Sequence, residues 1–414
     1  MDYFNYNDNL LFAEEVSIEK IVEEFGTPVY IYSHKTIHHH FNVFKKALGG
    51  YPHRICYSVK SNSNIAIIQA LNEMGASFDI VSLGEYERVI KAGGCPENMV
   101  FSGVGKSEHE LKIALKAGIS CFNIESENEL LRLERIAEKE KITASISIRI
   151  NPDVDPKTHK FITTGKVDNK FGVDITKATE LYKKANDMKY INIEGVDYHI
   201  GSQICTLKPL LDAVDVAVSF IKELKKNGIS VRHLDIGGGL GIRYNDESPP
   251  SPQEYLSQVI EKIKGLDIEL YVEPGRAIVG NSGVLVTKVE YIKETNSKNF
   301  IIVDAGMNDY IRTSLYESWQ DVLPVKISDS PTLKGDIVGP ICESSDVFAR
   351  DRNIAVKEGD LLVIRSVGAY GFCMSSNYNS RPRPPEVMVK NSTPNLIRRR
   401  ETMEDLFLQE RLLG

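Results

Sequence analysis

The chain has 414 residues, which at roughly 150 per domain points to two or three domains, and a 42% apolar composition is enough for a sizeable buried core. Aromatic content of 8%, charged content of 26% and 30 glycines sit near ordinary averages, which excludes collagen-like, coiled-coil and disordered classes. Fifty basic against 57 acidic side chains leave a formal charge of −7, which opposes binding to a polyanion and argues against a nucleic-acid partner.

No stretch approaches the roughly 18 uninterrupted apolar residues of a membrane helix, and the acidic start MDYFNYND is unlike a signal peptide. A cytoplasmic chain without membrane contact is expected. Six cysteines without a CxxC pair read as free thiols rather than a disulfide or zinc framework, and no metal is expected.

In chain order, residues 1–32 carry a short helical pattern, Ile18 to Phe25, followed by the extended PVYIYS. This segment is expected to join a β-rich domain. The histidines His38 to His40 lie beside the stripe Ile37, Phe41 and Phe44, so they should decorate the open side of a helix.

From 33 to 280, short β-rich runs alternate with longer helical ones. The predicted strands are Arg54 to Val59, Ser77 to Ile80, Met99 to Ser102, Ser120 to Ile124, Ala144 to Ile150, Ile193 to Tyr198, His233 to Ile236 and Glu269 to Val272. Helical spacing is found at Ile65 to Met74, Gly84 to Ala92, Glu108 to Ala117, Ser126 to Glu138, Lys177 to Asp187 and Pro209 to Lys226. Eight alternations predict an α/β fold, a (β/α)8 barrel of the TIM type, with an open doubly wound sheet as the alternative. Residues 281–414 change to alternating runs, VLVTKVEYI, NFIIVDA and DLLVIRS, which read as a second, β-rich domain. The tail from Thr393 is amphipathic and is expected to be a final helix, with its RRR on a solvated face.

Catalytic groups of such barrels sit where strands end. Here those positions hold Lys60, Asp79, Arg149, His199, Gly237 to Gly239 and Glu273. A lysine at a dry barrel mouth favours its neutral amine and so suits Schiff-base chemistry, although the same position also suits an ordinary surface lysine. GGGLG, at Gly237 to Gly241, follows the seventh strand, where barrels often bind phosphate, and Gly275 and Arg276 of EPGR offer a second wall. It is no dinucleotide fingerprint, because Ile242 stands where the third glycine should be, and no P-loop, because no GKS or GKT follows. Glu273 suits a general base, a metal ligand or the partner of a protonated ring nitrogen, and His199 an acid or a flat stacking surface. Together a lysine, a phosphate cradle, a carboxylate and an imidazole describe a pyridoxal phosphate site.

The motifs YSVKSN, HIGSQ, DIGGGLG, EPGR, DAGMNDYIR, CES and GAYG occur in that order. On them the chain resembles the diaminopimelate decarboxylase group of the fold-type III, alanine-racemase-like pyridoxal phosphate enzymes, over nearly its whole length. The resemblance implies pyridoxal 5'-phosphate as cofactor, Lys60 as the lysine bonded to it, His199 stacked on its ring and Glu273 at the ring nitrogen. It assigns Ser202, Gly237, Gly238, Gly239, Gly275, Arg276 and Tyr370 to the phosphate and its surroundings, with Asp79 as a support beneath the cofactor. Arg276, Arg312, Tyr316, Tyr370 and Glu343 would hold a small amino-acid substrate. Cys342 would act in the neighbouring subunit's site, so a homodimer with shared active sites is implied. Two positions depart from the group's pattern: Ser61 replaces the usual alanine, and RTSLY, Arg312 to Tyr316, replaces RPALY. The long loop from Asn151 to Lys170 is expected to close over the site. The implied reaction is decarboxylation of meso-2,6-diaminopimelate to L-lysine. Decarboxylation of ornithine, arginine or carboxynorspermidine is the alternative, followed by racemisation and by a cofactor-carrying regulatory protein without turnover.

Overall fold

A strand that is apolar at nearly every position must be covered on both faces, and the middle of the chain solves this by closing its strands on themselves. The computed structural model describes residues 2–156, 170–328 and 331–414. It divides into two units, one of His40–Ile242 with Ser248–Ala277, the other of Met1–His39, Arg243–Glu247 and Ile278–Gly414. In the first unit eight parallel strands, His53–Ser58, Ser77–Ile80, Met99–Phe101, Cys121–Ile124, Ala144–Asn151, Ile191–Asp197, His233–Asp235 and Glu269–Val272, pair in sequence. The eighth returns to the first, which closes the barrel. The sequence reading of a TIM-type barrel holds, and the open-sheet alternative falls.

The helices between strands are started by their own caps. Ser82, Ser107, Ser126 and Ser251 each accept a backbone N–H of the first turn, and Glu110 and Glu254 complete reciprocal capping boxes. Helix Glu108–Ala117 stops at Gly118, whose φ of +79° suits a residue without a side chain. The longest, Leu207–Lys226, buries Leu210, Val214, Phe220, Ile221 and Leu224, each contributing about 1.5–3 kcal/mol over an exposed position. Helix Pro252–Ile263, opened by Pro252, was not singled out by periodicity. Residues 157–169, the bulk of the loop expected to close over the site, lie outside the described residues. Helix His34–Leu48 buries Ile37, Phe41 and Phe44 and exposes His38.

The second unit is β-rich. Its central strand, Gly283–Glu294, pairs antiparallel with Val29–Ser33, Asn299–Val303 and Leu361–Ile364. Val29–Ser33 also runs parallel to Glu386–Lys390. The tail does not form the expected helix: Thr393–Arg398 is a strand in a hairpin with Glu386–Lys390, and only a short 3-10 turn, Glu404–Leu406, follows. The turn residue Asn391 takes φ +58°, and the freed edge of Glu386–Lys390 recruits the tail as its partner, which overrides helical periodicity. The RRR is likewise not simply a solvated face. Arg398 reaches Glu386 at 3.1 Å, and Arg400 donates to the carbonyls of Phe25 and Pro28 at 3.1 and 2.9 Å.

Candidate active site

The carboxyl ends of the barrel strands bring together most of the residues picked from the sequence. Lys60 follows the first strand in a 3-10 turn, and its Nζ lies 2.5 Å from Oδ2 of Asp79, fully buried at the second strand. The lysine is therefore not isolated in an apolar mouth, as its position alone suggested, but rests on a carboxylate. Ser61 directs its hydroxyl back to the Ser58 carbonyl at 2.8 Å. A Cβ at Gly275 would come within 2.9 Å of Ser61, so that loop passes only without a side chain.

The glycine triplet is constrained in the same way. Gly237 and Gly239 hold φ of +62° and +103°, and a Cβ at Gly238 would meet the Glu273 carbonyl oxygen at 2.3 Å. Gly238 N–H donates to Nδ1 of His199 at 3.2 Å, so that ring nitrogen is an acceptor. Burial, with the charges of Arg149 and Lys60, holds the His199 ring neutral, well below its ordinary pKa. Arg276 opens a four-residue helix and donates to Ser202 Oγ at 3.1 Å.

Glu273 is 5% exposed, and burial together with Asp235, Asp79 and Asp197 raises its carboxyl well above the ordinary range. Asp197 and Asp235 belong to the site but were missed. The signal was present: each is a lone acid inside an apolar run, GVDY and HLDI, and such a group is costly unless it serves something. Arg149 is likewise buried, donating to Glu125 at 2.9 Å and standing 4.0 Å from Asp197.

In the second unit Arg312 is buried, and its guanidinium lies 5.8, 5.4 and 5.9 Å from the rings of Tyr244, Tyr316 and Tyr370. Its Nε meets no acceptor among the described residues. Tyr244 was not picked from the sequence, because nothing local links it to a helix nearly seventy residues on. Cys342 and Glu343 are on an exposed loop. Its backbone is fixed by Asn379 Oδ1, which accepts the Cys342 N–H at 3.0 Å, and the Tyr378 hydroxyl donates to the Glu343 carboxylate. Buried Asp346 accepts the N–H groups of Met307 and Ile341, both at 2.7 Å.

Residues 34–280 match the family described as pyridoxal-dependent decarboxylase, pyridoxal binding domain. The chain is 51% identical over the full length of both chains to a diaminopimelate decarboxylase of Vibrio cholerae, and 49% identical, again over both full lengths, to one of Pseudomonas aeruginosa. Among solved structures, the diaminopimelate decarboxylase of M. jannaschii in complex with L-lysine is 36% identical with a TM-score of 0.95, covering 100% of this chain and 98% of that one. The motif order and the barrel had pointed to the same group, and the chain belongs to the diaminopimelate decarboxylases, within the pyridoxal-dependent decarboxylases.

Proposed function

We propose that the chain is a carboxy-lyase that converts meso-2,6-diaminopimelate to L-lysine and CO2, the last step of lysine biosynthesis, with pyridoxal 5'-phosphate held at the barrel mouth. The observation that carries the reading is the convergence of Lys60 on Asp79, the side-chain-free Gly237–Gly239 turn and the buried carboxyl of Glu273 at one end of one barrel. A cradle that any Cβ would fill suits a phosphate closely wrapped by backbone N–H groups.

When bound, the cofactor supplies an electron sink for the carbon that loses CO2. Lys60 anchors it through the amine, with Asp79 fixing where that amine sits. Ser202, Gly237, Gly238, Gly239, Gly275, Arg276 and Tyr370 are assigned to the phosphate and its surroundings. His199, held neutral, offers a flat face without adding charge, and Glu273 supplies the carboxyl for the ring nitrogen. Arg312 is a buried cation whose Nε lacks an acceptor among the described residues, and a substrate carboxylate is the natural partner for such a guanidinium. We assign Arg276, Arg312 and Tyr316 to substrate carboxylates and Glu343 to the distal ammonium. Lys60 and Cys342 are the two candidates for the single proton that the carbon takes up when CO2 leaves.

Cys342 sits on an exposed loop, where it is available to a second copy, and a homodimer with shared sites is the proposed working unit. All six cysteines are thiols, which suits a reducing cytoplasm. No described helix is long and apolar enough to cross a membrane. The nearest rivals, decarboxylases of ornithine, arginine or carboxynorspermidine, differ at the far end of the substrate, where Arg312 and Glu343 together favour one bearing both charges. A racemase is disfavoured by Glu273, which strengthens the sink that a racemase of this fold weakens with arginine.

The test is CO2 release with product identification from meso-diaminopimelate, ornithine, arginine and carboxynorspermidine. Lysine from the first as the dominant product is expected, and turnover of another substrate alone would overturn the specificity. Mixing inactive Cys342→Ala and Lys60→Ala chains should restore part of the activity if sites are shared. No complementation would sink the dimer assignment.

A further inference from the structure

Asp197, Asp235 and Glu273 come from barrel strands six and seven and the residue after strand eight, and one oxygen of each lies within 4.8 Å of the others. All three are buried. Asp235 uses Oδ1 to accept the Gly237 N–H at 2.9 Å, which fixes the first residue of the glycine turn. Its other oxygen, Oδ2, is buried and meets no donor among the described residues, and the same is true of Oε1 of Glu273. An oxygen of Asp235 and one of Glu273 thus stand within 4.8 Å of each other in the barrel interior. Two carboxyl groups form a hydrogen bond only when one carries a proton, and two like charges so close in a dry interior do not both persist.

The surrounding charges do not relieve the pair. Asp79 adds negative charge from strand two, with Glu125 further out, while Asp197 on strand six is itself raised well above its ordinary range by burial and Asp235, and burial keeps the Cys56 thiol neutral. Of the two cations, Lys60 rests on Asp79 and Arg149 on Glu125. Neutralisation therefore falls to a proton.

We propose that Asp235 is a positioning residue that shares a proton with Glu273 while fixing the glycine turn through Gly237, so that one side chain sets both the ring-nitrogen partner and the phosphate cradle. The link to the cofactor rests on the reading above; the shared proton belongs to the protein alone. Burial and the neighbouring carboxyls act in the same direction, pushing Asp235 up to about 7 and Glu273 well above its ordinary range.

The test uses thermal midpoints of the full chain, with cofactor and after its removal, from about pH 4 to about pH 8. It compares the unmodified chain with Asp235→Asn, Glu273→Gln and the double variant. A carboxyl that keeps its proton when folded stabilises fully below its unfolded pKa of about 4. That contribution is lost as pH rises through the folded value, about 7 for Asp235. The cofactor-free chain should therefore lose thermal midpoint across that window. Each single variant should flatten the loss, because an amide supplies the missing N–H donor, and the double variant should flatten it no further, because the proton belongs to the pair.

With cofactor, Asp235→Asn should retain the visible absorbance but move the pH of its spectral change by about one unit or more. Asp235→Leu should bind the cofactor at least about tenfold more weakly, since a buried N–H of Gly237 loses its acceptor. An unchanged pH slope in Asp235→Asn, additive flattening in the double variant, or a divalent cation retained after dialysis would overturn the shared proton. A chain that gains no visible absorbance with pyridoxal 5'-phosphate would overturn the cofactor reading instead, with the cofactor-free pH series still deciding the proton.

Discussion

The two ends of the barrel are made by the same eight strands and treat polar atoms in opposite ways. Toward the amino ends, His233 stacks on Tyr271 with ring centroids 4.1 Å apart and planes 2° from parallel, and its Nε2 lies 2.8 Å from Ser147 Oγ. Ser147 in turn lies 3.3 Å from Cys121 Sγ. These groups close on one another, and burial drives His233 down to about 3, so the ring is neutral. Toward the carboxyl ends, two residues further along the same strand, Asp235 stands among carboxyls whose oxygens include several that meet no donor among the described residues. A network satisfied within itself stabilises. One left with unmet atoms takes up a proton or a group from outside the chain, and the difference separates the end that holds the barrel from the end proposed to carry the chemistry.

That contrast can be broken by substitution. Lys60→Ala should abolish the visible absorbance of the cofactor-loaded protein and lower turnover by about 10⁴-fold. A retained visible band would remove the lysine from its role. Glu273→Gln should lower turnover on the order of 10²-fold while the neutral-pH stability of the cofactor-free chain holds or rises. A large loss of stability there would make the carboxyl end a scaffold as well.

His233→Ala should do the reverse. Removing a buried ring and leaving Ser147 without its partner should cost about 2–4 kcal/mol in denaturant unfolding, with kcat unchanged in the protein that remains folded. A selective loss of kcat would erase the distinction between the ends. The last comparison is the acid response. His233 binds no proton when folded above pH about 3, whereas the unfolded ring titrates near 6.5. Its contribution is therefore complete above about 6.5 and declines by at most about 1.4 kcal/mol per pH unit as pH falls toward 3. A His233→Gln chain should show a shallower acid limb in a pH series of unfolding midpoints, and an equal limb would place the ring's charge elsewhere.

Local sequence carried much of the site. Lys60, Asp79, His199, Gly237 and Glu273 stand where apolar runs stop, and a strand end in a parallel barrel is a functional address whatever the residue. Asp197 and Asp235 escaped because they lie inside the runs, where period and propensity mark a strand and say nothing of which face an acid takes. Tyr244 escaped for a different reason: its partner Arg312 is brought to it by a connection between distant segments. The tail failed as a helix because its hairpin partner, Glu386–Lys390, outweighs a local amphipathic pattern.

The alternation of strand and helix, the caps of the helices and the glycines of the turns are local properties, fixed by backbone sterics and short-range hydrogen bonds. The sequence by itself therefore determined the barrel, the family and the strand-end residues. Only the tertiary structure decided which carboxyls meet. It placed Lys60 on Asp79 rather than in an apolar mouth, and brought Asp235 within 4.8 Å of Glu273. The physical reason is that a charge's behaviour depends on the dielectric and the neighbours gathered around it, and in a closed barrel those neighbours come from strands far apart in the chain.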